Sequence, residues 1–175
     1  AMWVLLIADI GLVIWLSAGI NKMGQTTATA VFLVYAALNG LVLSSIFFAY
    51  EIGTIYAAFA ASALTFAAMS FVGFVTKRDL SGMGGLLFMG LIGLIIASLV
   101  NMFWANSTMD AIITYIGVFI FVGLTAYDTQ RIKQMVAYSD ASMVGKVSIL
   151  GALSLYLDFI NLFLYILRLF GRSRD

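Results

Sequence analysis

The sequence predicts an all-α integral membrane protein that forms a single transmembrane domain over residues 1–175. Hydrophobic residues make up 63% of the chain and charged residues only 10%, and the mean hydropathy is +1.10. A soluble domain typically carries about 25% charged residues, most of them on its surface. In addition, six stretches are each apolar over the roughly 20 residues that a helix needs to cross a bilayer. Together these observations predict a bundle of six transmembrane helices.

The predicted spans are joined by short polar connections, apart from a longer connection between the fifth span and the sixth. Two pairs of small residues, Ala57/Ala61 and Gly93/Ala97, predict close packing of the third and fourth spans against their neighbours. The six spans cover residues 2–20, 29–50, 52–75, 83–104, 111–128 and 148–170.

Basic residues lie in alternate connections, which predicts the orientation of the chain in the membrane. Lys22, Lys77 and Arg131 follow the first, third and fifth spans, and the other two connections hold no basic residue. We therefore expect these three connections to be cytoplasmic, which requires a further span before Ala1 if the N-terminus is cytoplasmic too. Arg168 and the tail beyond it do not fit this orientation, because a last helix that crosses the membrane fully would place them outside. Either the last helix is broken or re-entrant, or the tail departs from the rule.

The residue types that the chain lacks exclude several chemistries. With no cysteine and no histidine, the chain has no disulfide, no cysteine metal site and no histidine proton switch. The net charge of +1 is far too small for a nucleic-acid-binding protein. No phosphate-binding loop, dinucleotide fingerprint or nucleophile elbow occurs. We therefore expect neither an enzyme, nor a resident cofactor, nor a nucleic-acid partner.

Ionisable side chains within a span cost roughly 2.5 to 3.5 kcal/mol each at the helix centre, so they suggest a function. The last span has a polar stripe on one helical face, with spacings of four, three, four and three residues. A helix of this kind is expected to lie centrally, with its stripe facing protein or water. The alternative is a purely structural stripe whose hydrogen bonds join helices. The stripe consists of Ser154, Asp158, Asn161, Tyr165 and Arg168.

Two more aspartates and an asparagine lie within predicted spans. Asp128 ends the fifth span, and its structural alternative is an interfacial ion pair with Arg131. Asp9 lies about 12 Å into the first span at about 1.5 Å per residue, and its alternative is a buried hydroxyl or amide partner. Asn39 is expected either to hydrogen-bond another helix or to lend its carbonyl oxygen to a passing cation.

Three motifs resemble one known family: TKRDLSG at 76–82, FVGLTAYDTQRIK at 121–133 and SILGALSLYLDFINLFLYILRLFG at 148–171. They are similar to the transmembrane Bax inhibitor motif family, in its bacterial inner-membrane branch, and the resemblance extends along the whole chain. It implies seven membrane helices around a central last helix, so the six spans correspond to the second to seventh. The segment GLVLSSIFFAYEIG at 40–53 lacks the proline that the family usually has there.

The resemblance also implies a function, a pH-sensitive leak of Ca²⁺ through the membrane with an aspartate pair as sensor. The pair falls on Asp128 and Asp158. Two carboxylates in contact repel each other, so the pair favours a shared proton that ties the last two helices together. By residue count, however, Asp158 lies about 10 Å deeper than Asp128, so contact requires that the last helix begin deeper or that both helices tilt.

The expected site extends beyond this pair, because Ca²⁺ prefers several oxygen ligands. An acidic position of the family falls on Asp9, which together with Asp158 is the expected Ca²⁺ ligand. Further contacts to the ion are expected from Asn161, Ser154 and Asn39, and support from Tyr127 and Arg168.

Three other functions stay open from the sequence. A proton-coupled cation exchanger would use the same carboxylates as carriers, and an interaction protein would modulate a membrane protease or another membrane partner. An intramembrane aspartyl protease is disfavoured, because the chain lacks both the Gly-x-Gly-Asp sequence and the Pro-Ala-Leu motif of that class.

Overall fold

The chain folds into a helical bundle, as predicted. The computed structural model describes the backbone of residues 2–172 and the side chains of residues 11–171, and this part holds no strand. A short 3-10 turn, Ile20–Lys22, follows the first helix. The helices are α1 (Met2–Gly19), α2 (Gln25–Leu43), α3 (Ile46–Ala49), α4 (Ile52–Val75), α5 (Ser81–Trp104), α6 (Ser107–Tyr138) and α7 (Ala141–Arg172).

The outer surface of the bundle is that of a membrane protein. Within the described part, five segments are long and apolar enough to cross a bilayer: α2 together with α3, and each of α4 to α7. Large apolar side chains such as Phe48 and Phe103 are 94% and 82% exposed, which suits a surface covered by lipid. The predicted first span lies on α1, and about half of its side chains fall outside the described residues.

Helix α7 lies at the centre of the bundle, as predicted. It packs against α2, α4 and α6, whereas α1 packs mainly on α2, and α5 on α6. Helix α7 also contributes to both hydrophobic cores. Leu162 packs with residues of α4 to α6, including Leu124, and Leu153 packs with residues of α1 and α2, including Tyr35. The last helix therefore joins the part of the bundle formed by α1 and α2 to the part formed by α4, α5 and α6.

Several helix boundaries differ from the predicted ones. The predicted span 29–50 is interrupted after α2, where the hydroxyls of Ser44 and Ser45 donate to the carbonyls of Leu41 and Val42 at 2.6 and 2.9 Å. Such bonds compete with the helix's own backbone bonds and bend it. Helix α6 continues ten residues past Asp128, to Tyr138, and α7 begins seven residues before the predicted start. Because α7 is unbroken, the alternative of a broken last helix was wrong.

Candidate functional site

The register of α6 against α7 brings the two motif aspartates within about one helical turn of each other in depth. The ring of Tyr165 packs on Gly117, and the side chain of Ile132 packs on Gly151, so closely that a Cβ at either glycine would collide. Interpolation between these contacts places Asp158 about one helical turn, roughly 5 Å, deeper than Asp128. Side chains lean towards the N-terminus of their own helix, so in this antiparallel pair the two carboxyls lean towards each other.

The two aspartates line one cavity of about 550 Å³ between α5, α6 and α7, which we call the carboxyl cavity. Its α5 wall is apolar and contains no ionisable residue. Four of the five stripe residues of α7 face it, which confirms that the stripe is turned to the interior. The polar side chains on its wall are Tyr127, Asp128, Arg131, Ser154, Asp158, Asn161 and Tyr165.

Asp158 is the most deeply buried acidic side chain described, with 5% of its surface exposed. The carboxyl of Asp128 lies within hydrogen-bonding reach of the Asp158 carboxyl, and Oδ2 of Asp158 is buried with no hydrogen-bond partner. Two ionised carboxylates cannot donate to each other, whereas a single proton between them supplies a donor. The arrangement is therefore suited to holding one proton between α6 and α7.

Three side chains that were expected to support or extend this pair have contacts of their own around the same cavity. Tyr127 packs its ring on Gly84 of α5 and so fixes one wall of the cavity. The amide of Asn161 donates to the Leu157 carbonyl of its own helix at 2.8 Å. Ser154 lies on the wall one turn before Asp158. These three residues do share the cavity with the aspartates.

Asn39 does not share it. It lines a second cavity of about 340 Å³ between α1, α2 and α7, which Asn161 and Leu157 also line. The Asn39 amide donates to the hydroxyl of Tyr35, one turn earlier on the same helix, at 2.9 Å. An ion site that includes both Asn39 and Asp158 is therefore not formed in this structure. The side chain of Asp9 lies outside the described residues, and those described include no cluster of three potential metal ligands.

Arg168 also lies elsewhere, in a third cavity of about 410 Å³ between α5, α6 and α7, which we call the ion-pair cavity. Its Nη1 atom is 3.8 Å from Oδ1 of Asp110, and both side chains are partly exposed. The guanidinium group also lies over the ring of Tyr165, 5.7 Å from the ring centre. Asp110 was not predicted as a site residue, although an acidic residue in the first turn of a helix is a recognisable signal.

A second feature that was not predicted is a set of hydrogen bonds that anchors one family-like motif, TKRDLSG, to another, FVGLTAYDTQRIK. Gln130 is buried; its Oε1 accepts from the Leu80 amide at 2.9 Å and its Nε2 donates to the Arg78 carbonyl at 2.8 Å. Three residues later, Lys133 donates to the Phe74 carbonyl at the end of α4, a common way to satisfy a helix C-terminus. These bonds hold the start of α5 beside Asp128.

Comparison with known proteins agrees with this architecture. The profile of the family described as "Inhibitor of apoptosis-promoting Bax1" matches residues 1–175. The Inner membrane protein YbhL of Escherichia coli is 53% identical over 173 residues, which cover 97% of this chain and 74% of that protein. An uncharacterised protein of Borreliella burgdorferi is 47% identical over 98% of this chain and 75% of its own length.

A third relative is named only as a membrane protein. This uncharacterised protein of Streptococcus pyogenes is 43% identical over 162 residues, covering 93% of this chain and 71% of its own length. The family match extends over the whole chain and agrees with the membrane-spanning helices of the structure. The chain therefore belongs to the Bax inhibitor family and is a multi-pass protein of a bacterial inner membrane.

Proposed function

We propose that this protein forms a cation leak pathway, with Ca²⁺ as the transported ion, that responds to the protonation of Asp128 and Asp158. The observation that carries the proposal is the placement of both carboxyls on the wall of one cavity between α5, α6 and α7, with Asp158 itself buried. Ionisable groups within membrane spans are rare, and they mark ion and proton pathways. Membership of the Bax inhibitor family supports the same function.

The mechanism follows from the number of protons that the two carboxyls hold. With one proton, they form a hydrogen bond that ties α6 to α7. Without a proton they repel each other, and the surroundings offer little compensation. The α5 wall has no ionisable group, Arg131 is exposed at the rim, and Tyr127 and Tyr165 are the other titratable side chains on the wall. The ionised pair attracts a cation and loosens α7, so we propose a faster leak at higher pH.

The test is Ca²⁺ flux into proteoliposomes over a series of pH values through neutrality. The variants are Asp158→Asn, Asp128→Asn and the double replacement, with Asp140→Asn as the matched control, since Asp140 is exposed in the α6–α7 connection. We expect each single cavity variant to flatten the pH dependence and the double variant to add little, because contacting residues are non-additive. If both single variants shift the profile independently and their effects sum, the two carboxyls do not act as a pair.

The same assay separates the other functions that the sequence left open. Ca²⁺ flux that requires an opposing proton gradient would identify a proton-coupled exchanger. A folded protein that gives no flux at any pH, and whose cellular phenotype persists without Asp128 and Asp158, would instead identify an interaction protein that acts on a membrane partner. The contributions of Ser154 and Asn161 as ion contacts are tested by their alanine variants in the same series.

A further inference from the structure

The carboxyl cavity and the ion-pair cavity follow one another along the same three helices, α5, α6 and α7, and one side chain borders both. That side chain is Tyr165. From Tyr165 the carboxyl cavity extends past the two aspartates to Arg131, and the ion-pair cavity extends in the opposite direction to Asn101 and Arg168. Two partly polar cavities are thus separated by a single aromatic ring.

The ring lies near the middle of the membrane. It packs on Gly117, which is about 15 Å along α6 from Ser107 at a rise of about 1.5 Å per residue. The hydrocarbon core of a bilayer is about 30 Å thick. With α6 crossing from its N-terminal end, the two cavities therefore lie on opposite sides of the bilayer centre.

All three helices hold the ring in this position. The tyrosine ring stacks on Phe121 of α6, with ring centres 5.8 Å apart and an angle of 24° between the planes. On its α5 side the ring shares the lining of the ion-pair cavity with Ser98. The space into which the ring fits exists only because residue 117 has no side chain. Such contacts fix one rotamer, and they are broken together if α7 turns or slides.

We infer that Tyr165 is the gate of the membrane pathway, and that its ring separates two water-accessible vestibules, one at each face of the membrane. The inference rests on the proposed function for the existence of a pathway. Tyr165 lies seven residues after Asp158 on the same face of α7, which is two helical turns. A rotation or a shift of α7 that begins at the aspartates therefore moves the ring away from Gly117 and joins the vestibules.

The test is the sidedness of cysteine labelling, which needs no ion flux. The chain contains no cysteine, so Ser154→Cys reports on the carboxyl cavity and Met102→Cys on the ion-pair cavity. A charged, membrane-impermeant methanethiosulfonate is added to one side or the other of oriented membrane vesicles. With Tyr165 present, we expect each cysteine to react from one side only, and the two from opposite sides.

Replacing the gate residue should remove this sidedness. In the Tyr165→Ala background both cysteines should react from both sides, whereas Tyr165→Phe keeps the ring and should keep the labelling one-sided. Tyr115→Ala is the matched control, because it removes an exposed tyrosine of α6. The smaller change Tyr165→Leu is the second variant in case the alanine variant does not yield a monodisperse protein. It should give partial loss of sidedness.

Two outcomes would overturn the inference. One is labelling of Ser154→Cys that stays one-sided when the ring is absent, and the other is labelling of both cysteines from both sides while Tyr165 is present. Failure of the proposed function has a different signature. In that case no pH-dependent Ca²⁺ flux would be seen in any variant, yet sidedness would still depend on the ring.

Discussion

The carboxyl cavity and the ion-pair cavity are built from the same three helices but differ in how their charges are balanced. In the ion-pair cavity, the acidic side chain of Asp110 has a cation, Arg168, 3.8 Å away. In the carboxyl cavity, Asp158 has a second carboxyl as its neighbour, and the one arginine on the wall is exposed. A paired acid gains little from taking up a proton, whereas an acid beside another acid gains much. The comparison therefore predicts that, in the proposed pathway, the carboxyl cavity is the end that responds to pH.

The sharpest test of this comparison replaces one acid in each cavity. One linked proton changes a two-state equilibrium by at most about tenfold per pH unit. We expect Asp158→Asn to abolish a pH dependence of this size in Ca²⁺ flux, and Asp110→Asn to retain it while changing the flux at every pH by a similar factor. Loss of the pH dependence in Asp110→Asn alone would reverse the assignment of the two cavities.

The wall of the carboxyl cavity depends on Gln130, and its removal should have the next largest effect. Gln130→Ala leaves the Leu80 amide and the Arg78 carbonyl without this partner, and losing two such bonds costs about 1–3 kcal/mol. Thermal unfolding in detergent, followed by circular dichroism, measures the loss. Amide hydrogen exchange should rise at the start of α5, beside the carboxyl cavity, and not at its other end.

Gln134→Ala is the control for this variant, since Gln134 is exposed one turn later on α6. Equal destabilisation by the two variants would mean that the anchor to the α4–α5 connection contributes nothing of its own.

The ion pair of the other cavity should contribute less. Both side chains are partly exposed, and exposed pairs are typically worth about 0–1 kcal/mol. A double-mutant cycle with Arg168→Gln and Asp110→Asn should give a coupling energy in this range, and added salt should reduce it. A coupling of several kcal/mol would show that the ion-pair cavity is dry, which is incompatible with a vestibule open to water.

The smallest effect is expected outside the membrane, at Asp79 in the α4–α5 connection. The hydroxyl and the amide of Ser81 donate to Asp79 Oδ1 at 2.6 and 3.0 Å, and these bonds lower the pKa of the Asp79 carboxyl below its usual 3.8. The folded state favours the carboxylate, so its stabilising contribution is present above pH 3.8 and is lost as the pH falls through the lower folded value.

Amide hydrogen exchange in the first turn of α5 measures this contribution. Asp79→Ala should raise the exchange of the Ser81 amide slightly at neutral pH, and Asp79→Asn, which keeps an acceptor, should raise it less. The difference between the wild type and Asp79→Ala should shrink in acid. A difference that is the same at all pH values would exclude the carboxylate as its cause.

Much of this architecture follows from the sequence because two strong signals are present. Apolar length predicts the spans, and the period of the stripe from Ser154 to Arg168 predicts the inner face and central position of α7. The register of α6 and α7 was not predictable, because it depends on which glycine receives which side chain. Gly117 and Gly151 set it through contacts with Tyr165 and Ile132.

Other positions were misjudged for a related reason. In a membrane helix the lipid-facing side and the packed side are both apolar, so periodicity does not show which small residues face a neighbour. Ala57 is exposed and Gly93 has open space beside it, although both were expected at close contacts. Close approaches lie instead at Gly73, against the Ala126 backbone, and at Gly84, against the Tyr127 ring.

The central position of α7 also has a consequence for how the protein is made. Helices α2, α4 and α6 leave the ribosome before α7, yet each of them packs against it. Asp128 therefore enters the membrane before Asp158, and the partly assembled bundle has an unfilled centre until α7 inserts. Contacts between segments distant in the chain form late in folding. Closure of this bundle is thus a late step of biosynthesis, and the carboxyl pair is completed only with it.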